Sequence, residues 1–447
     1  MRGVKLDLVV PVLLAATVVA FATGSSSVVG IVHGGRALRW VALLALFAAA
    51  AALAREPSAF ARLRRSVVAA AVIFLAVVVE SALWSVNPRL TLERAATVVV
   101  LFGTAASLAA GCAGRPHLIR RALWGIVGGA AVVTVLGLVV LVFDHAAAVE
   151  QATLDLPARY RGYGENPDTV SLLLSLCLPI AIWLAFRART RSELATAVAA
   201  ALAFDASIAA SGSRGAIAAG FTGAFVTIVF ARSPVRVRFV VTGVALALLA
   251  ATIVVALAPK SKGEAAYKRP SGSAVGSTGP QPKPGYENVE ADHPFSFDIG
   301  TQEPGEAAPT HRTLFGLTGR GEAWRGALDL ADARPVLGYG FGTEANVFVD
   351  RYANFAGGSP ENSYIGIYLQ LGAVGLAALL ALLGTLVLAA FRGWARPEAL
   401  VSIAVLAAAL VMAIVQSYIY SVGDIGTVTV WVCAFLGAAT VGRRVVA

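Results

Sequence analysis

The chain has 447 residues, 57% of them hydrophobic and 14% charged, with a mean hydropathy of +0.75 and a formal net charge of +10. Water-soluble domains carry about 45–50% apolar and about 25% charged residues, so a soluble enzyme is excluded. Three cysteines (Cys112, Cys177, Cys433) and five histidines (His33, His117, His145, His293, His311) stand far apart without paired spacing, which excludes a disulfide framework and a zinc site.

A bilayer core about 30 Å thick takes about 17–25 apolar residues per helix. Twelve such runs follow one another: 7–23, 38–54, 67–84, 95–111, 122–143, 169–186, 194–210, 215–231, 238–258, 363–391, 398–421 and 424–441. The first reads as a retained span rather than a cleaved leader. The runs 194–210 and 215–231 are close enough to form a hairpin. Alternate connections hold nineteen basic residues, among them Arg62, Arg64, Arg120, Arg187 and Arg396. The opposite short connections hold seven: Arg36, Arg39, Arg89, Arg94, Arg159, Arg161 and Arg214. The richer side is expected in the cytoplasm, and with it both termini. The net positive charge therefore belongs to the inner leaflet and gives no support to nucleic-acid binding.

One outer connection differs from the rest. Residues 259–362 hold ten basic and thirteen acidic residues, so this stretch is mildly acidic. Its first part, 259–312, is rich in Pro, Gly, Ser and Lys and reads as flexible. Arg320 to Asp332 reads as an amphipathic helix with Trp324, Leu328 and Ala331 at helical spacing. Arg334-Pro335 ends it, and a glycine-rich turn follows at Gly338, Gly340 and Gly342. The expected architecture is an all-α integral membrane protein with about 12 transmembrane helices. Residues 1–258 carry helices 1–9. Residues 259–362 form an extracytoplasmic loop subdomain, partly helical over 318–362, and residues 363–447 carry helices 10–12.

Charges at membrane depth are costly and face protein or water. Arg214 lies in Ser211-Gly212-Ser213-Arg214-Gly215-Ala216, a turn on the side that otherwise sheds positive charge. It reads either as an interfacial arginine on lipid phosphates or as a guanidinium gripping a bound phosphate bidentately, with Ser211 and Ser213 as added donors. Arg161, in Arg161-Gly162-Tyr163-Gly164-Glu165-Asn166-Pro167, and Arg320, at the start of the external helix, stand on the same side beside glycines. Three such arginines point to a shared anionic partner, and a helix N-terminus favours an anion. Arg89 and Arg94, after Leu83-Trp84-Ser85, are weaker candidates, and the tryptophan suits an interfacial anchor. Glu80 and Asp205, inside spans, read as structural partners of these arginines or as proton-coupling groups, and Asp424 as a hydrated helix-end acid. Glu361, where the chain re-enters the membrane, is a helix-cap acid or a chemical group.

The segment Glu361-Asn362, then nine residues, then Gly372-x-x-Gly375 resembles a signature of the O-antigen ligase and polymerase superfamily, in which a histidine stands at the first position. Ser211 to Ala216 resembles that family's Ser-Arg-Gly segment, and Gly319-Arg320 with Trp324 its external Gly-Arg…Trp segment. Leu83-Trp84-Ser85…Pro88 and Arg161-Gly162…Asn166-Pro167 resemble its weaker, earlier signatures. The resemblance runs from about residue 80 to 375, and the span plan, GT-C-like in kind, extends it to the whole chain. It implies a glycosyltransferase at the outer face of a bacterial cytoplasmic membrane. The donor would be a glycan on a polyprenyl pyrophosphate carrier and the acceptor a glycan or glycolipid, with membrane lipids as surroundings and no metal or other cofactor. Arg214 and Arg320, with Arg161, would hold the pyrophosphate. The family histidine would take the acceptor proton, giving inversion. Glu361 in its place means either a lost base or a carboxylate doing the same work. A glutamate base gains strength in a dry pocket and loses it beside an arginine, so it is expected to stand clear of Arg320. A secondary transporter or lipid-linked glycan flippase, which also suits twelve spans, and a non-catalytic assembly partner are the alternatives.

Overall fold

A computed structural model describes residues 6–150, 158–231, 243, 320–348, 359–421 and 423–439. The expected ninth span, 238–258, lies outside the described residues apart from Gly243, and so does the expected flexible segment 259–312. The chain is built of helices: α1 (Leu6–Gly24), α2 (Val29–Leu53), α3 (Arg65–Glu80), α4 (Pro88–Cys112), α5 (Pro116–Phe143) and the short α6 (His145–Ala148). A two-residue hairpin follows, β1 (Val149–Glu150) with β2 (Arg159–Tyr160). Then come α7 (Pro167–Phe186), α8 (Arg191–Ser211), α9 (Arg214–Phe230), α10 (Arg320–Asp332), α11 (Glu344–Val347), α12 (Ser363–Arg392), α13 (Pro397–Met412) and α14 (Thr427–Ala438).

The starts of these helices are written in local chemistry. Proline opens α4, α5, α7 and α13, where its missing N–H costs nothing. Side chains of Asn87, Asn166, Thr190, Ser213 and Asn362 cap α4, α7, α8, α9 and α12 by accepting first-turn N–H groups. Among the described residues, eight helices (α1 to α5, α7, α8 and α12) are long and apolar enough to cross a membrane, and α9, α13 and α14 are shorter apolar helices.

Helix α7 is the hub. Every residue of it except Asp168 is buried, and α8, α9 and α13 pack around it. On the other side α1 packs on α2 and α5, α4 lies between α2 and α14, and α3 lies against α12. Many outward faces remain apolar and exposed, as at Val12, Val41, Val72 and Leu138, which suits a hydrocarbon solvent.

Two departures from regular spans shape one end of the bundle. The run expected over 398–421 stops being helical after Met412, and residues 413–421 form an irregular stretch with Tyr418, Ile419 and Tyr420 buried. Irregular backbone at such depth is tolerated where protein covers it and supplies partners. Here Ser363 donates its N–H to the Ala413 carbonyl and its hydroxyl to that of Gln416. The second departure is a break in α12 at Gly372, with φ 61° and ψ −163°. The glycine-rich turn after α10 fills that break. Tyr339 and Gly340 donate to the carbonyls of Leu369 and Gln370, while Ala373 and Val374 donate to those of Pro335 and Val336. A Cβ at Gly372 would stand 2.2 Å from the Val336 backbone. The Leu83-Trp84-Ser85 segment clasps the same turn, Trp84 donating its indole N–H to the Leu337 carbonyl and Val86 its N–H to that of Tyr339. Trp84 thus holds the turn after α10.

Candidate functional site

Five charged side chains meet at the end of the bundle where α7, α9, α10 and α12 all begin. Arg320 donates Nε and Nη2 to Glu361 Oε2 at 3.0 and 2.9 Å, and its Nη2 lies 3.6 Å from Asp168 Oδ2. Arg214 is within electrostatic reach of Arg320, Asp168 and Arg159. Glu361 is within reach of Arg320, Asp168 and Arg159. Three guanidinium groups and two carboxylates, distant in sequence, therefore share one locus.

Local rules place each of them. The Asn166 carbonyl oxygen accepts the N–H groups of Asp168 and Thr169, so Asp168 sits in the first turn of α7, where the helix dipole favours a negative charge. Ser213 caps α9 by accepting the Ala216 N–H, which makes Arg214 the first helical residue. Ser211 donates its hydroxyl to the Ile208 carbonyl and accepts the Ser213 N–H. Both serines are buried in building the turn. They position Arg214 at the start of α9.

Glu361 carries a positive φ of 47°, the only such non-glycine residue among the described residues. Side chains of that type enter the left-handed region only when surrounding bonds over-determine it. Here the next residue is clamped: Asn362 donates its N–H to Ser417 Oγ and Nδ2 to the Ile414 carbonyl, while its Oδ1 accepts from Tyr364 and Ile365. The clamp turns the Glu361 carboxyl toward α10. Burial pushes that carboxyl above the usual carboxylate range. Arg320 pulls it down, Asp168 pushes it up again, and Arg159 adds a smaller downward pull.

Glu361 does not stand clear of Arg320, as a base at this position was expected to do. Both are largely withdrawn from solvent, with side-chain exposures of 26% and 19%, so each is the other's best available partner. Arg161 also departs from expectation. Its Nε and Nη2 donate to the Ala147 and Ala146 carbonyls, which fixes the hairpin after α6 and turns the side chain away from the other arginines. Arg159 stands in the place expected for it, buried and bonded through Nε and Nη2 to Glu150 Oε2 at 2.9 and 2.6 Å. Sequence reasoning passed over Arg159 and Asp168. The signals were a second arginine two residues from Arg161 and an acid just inside the Asn166-Pro167 cap.

Of the two intramembrane acids, Glu80 is exposed at the end of α3 and forms no ion pair among the described residues, so it is not the arginine partner expected. Asp205 is buried in α8.

The arrangement suits a polyanion. Two arginines at helix starts can each present a planar fork of N–H donors, and a carboxylate of raised basicity lies beside them. No curated protein matches the chain. Residues 197–380 match the family model described as O-Antigen ligase, a stretch that contains Arg214, Arg320 and Glu361. That match over residues 197–380 supports the O-antigen ligase and polymerase superfamily and an O-antigen ligase-like membrane glycan-processing function.

Proposed function

We propose that the protein is a glycosyltransferase of the outer face of a bacterial cytoplasmic membrane, multi-pass with about twelve spans of GT-C-like plan and both termini cytoplasmic. It moves a glycan from a polyprenyl pyrophosphate carrier to an acceptor hydroxyl with inversion and without a metal. The observation that carries this reading is the meeting of Arg214, Arg320 and Glu361 within one electrostatic neighbourhood.

In the reaction the acceptor oxygen forms a bond to the anomeric carbon as the bond from that carbon to the pyrophosphate oxygen breaks. The bonding pair leaves with the pyrophosphate, whose negative charge grows in the transition state. Arg214 is held at the Ser213-capped start of α9 and Arg320 in the first turn of α10, so both can be brought to bear on that charge once the donor is seated. Glu361 takes the hydroxyl proton.

The Arg320–Glu361 pair gives this scheme an order of events. A pyrophosphate offers Arg320 a more highly charged, bidentate partner than a single carboxylate oxygen. As the donor takes Arg320, Glu361 loses the bonds that hold down its proton affinity, and a dianionic neighbour raises it further. The base is thereby strengthened when the donor is seated.

The test is transfer by purified protein from a polyprenyl-pyrophosphate-linked glycan. Arg214→Ala and Arg320→Ala are each expected to lower turnover by about 10²–10³-fold, the usual effect of losing a transition-state donor. Glu361→Gln is expected to abolish transfer while donor binding persists. Full transfer by either arginine variant overturns the assignment, and normal turnover by Glu361→Gln reduces Glu361 to a structural acid.

A further inference from the structure

A second group of arginines gathers at the same end of the bundle and plays no part in the mechanism above. Arg39 on α2 is within electrostatic reach of Arg36, Arg94, Glu165 and Asp424. Its Nη1 donates to the Gly423 carbonyl at 3.0 Å, and a Cβ at Gly423 would meet that guanidinium at 2.4 Å. Arg94 on α4 packs its stem against Gly342 and reaches Glu344 electrostatically. None of Arg36, Arg39 and Arg94 forms an ion pair among the described residues.

The acids facing this group do not cancel it. Burial raises Asp424 to about 7 and Glu344 to about 8, so both carry substantially less than a full negative charge at neutral pH. Glu165, exposed, is the remaining acid.

The two arginine groups share walls. The loop before α7 gives Glu165 to one, and the first turn of α7 gives Asp168 to the other. The irregular stretch after α13 gives Ser417 to the Glu361–Asn362 turn, Tyr420 to Glu344 and Gly423 to Arg39. Beside Arg39 and Arg94 the outward faces of α2 and α4 are apolar and exposed at Leu38, Val41, Leu44, Leu92 and Val99. A cationic group above a lipid-facing apolar wall fits a molecule with a phosphate and a long hydrocarbon tail.

Resting on the transferase reading, we propose that Arg39 and Arg94, with Arg36, bind the membrane-proximal phosphate of the acceptor lipid and so select a phosphorylated acceptor. A transferase joining two lipid-borne glycans must hold both carriers at one end of the bundle. Arg214 and Arg320 take the donor, and the Arg39 group takes its counterpart across the shared walls.

The test offers one acceptor glycan on three anchors: polyprenyl pyrophosphate, a phosphorylated glycolipid and a neutral lipid. Arg94→Gln and Arg36→Gln are each expected to raise KM for a phosphorylated acceptor by roughly tenfold with kcat little changed, the size expected for one charge-assisted contact. The neutral acceptor is expected to be insensitive, Arg94→Lys to restore most of the loss, and Arg89→Ala to have no effect. Which phosphorylated anchor responds identifies the source of the phosphate. Equal losses on the neutral acceptor, no loss on any, or a change confined to co-purified phospholipid overturn the proposal.

A turnover-free measurement separates this idea from the transferase reading. Polyprenyl pyrophosphate is expected to bind the Glu361→Gln protein at two equivalents per chain, one removed by Arg94→Gln and the other by Arg214→Ala. That pattern, together with a wild-type protein that transfers nothing, would keep the second site and refute the transferase. A single equivalent sensitive to Arg214→Ala alone, with binding of the phosphorylated glycolipid also unaffected by Arg94→Gln, would refute the second site.

Discussion

Glu344, outside the spans, is raised from 4.5 to about 8 by burial, with Tyr420 and Arg94 opposing. Its Oε1 accepts the Tyr420 hydroxyl, and a Cβ at Gly366 would stand 2.5 Å from it. A group whose folded pKa is raised contributes stability that is full below its unfolded pKa and lost as pH rises to the folded one. Thermal stability of the wild type is therefore expected to fall, relative to Glu344→Gln, from about pH 4.5 upward, with the gap constant above about pH 8. Parallel curves in melting experiments across that range would show that Glu344 ionises normally. At this scale the sequence was legible where a charge was anomalous. Arg214, Arg320 and Glu361 stood out because apolar runs and glycines flank them. Arg159 was hidden by Arg161, since neither residue type nor spacing tells which of two arginines faces a cavity. Asp168 was hidden by its ordinary place in a first helical turn.

At the scale of elements, caps and prolines made helix starts readable, but packing decided which faces turned inward. Arg320 to Asp332 is the helix its periodicity indicates, yet its buried face is Ala323, Ala327 and Ala331, with Leu328 exposed. Small alanines let α10 lie close against Leu369 and Ile365 of α12, an advantage that a hydrophobicity count does not register. Gly372-x-x-Gly375 was legible only as a signature. Its physical cause is the break in α12 that receives the Val336 to Gly340 turn, and no local signal announces a long-range partner of that kind. Gly372→Ala would put a side chain at φ 61° against the Val336 backbone, and a destabilisation of about 2–4 kcal/mol with loss of transfer is expected. Gly384→Ala, in the same helix with open space around its Cβ position, is expected to be neutral or to stabilise by about 0.5–1 kcal/mol. Chemical denaturation in detergent compares the two, and equal effects would mean that the break in α12 is not a structural requirement.

Across the whole molecule the apolar runs were readable because a bilayer leaves few choices of element. The irregular stretch after Met412 was not, since its residues are as apolar as a helix and side-chain partners distant in sequence, among them Ser363, Asn362 and Trp431, hold it open. Orientation remains an argument from arginine placement, and it can be tested directly. Arg89 is exposed near the start of α4, at the end of the bundle that carries Glu361, whereas Arg55 is exposed just beyond the far end of α2. The three native cysteines are buried, so single cysteines placed at these positions in a cysteine-free background report cleanly. With a membrane-impermeant maleimide, Arg89→Cys is expected to label in intact spheroplasts and Arg55→Cys only after permeabilisation. The reverse pattern would put Arg214, Arg320 and Glu361 on the cytoplasmic side, where the lysine- and arginine-poor connections are not expected, and the proposed transfer at the outer face would fall with it.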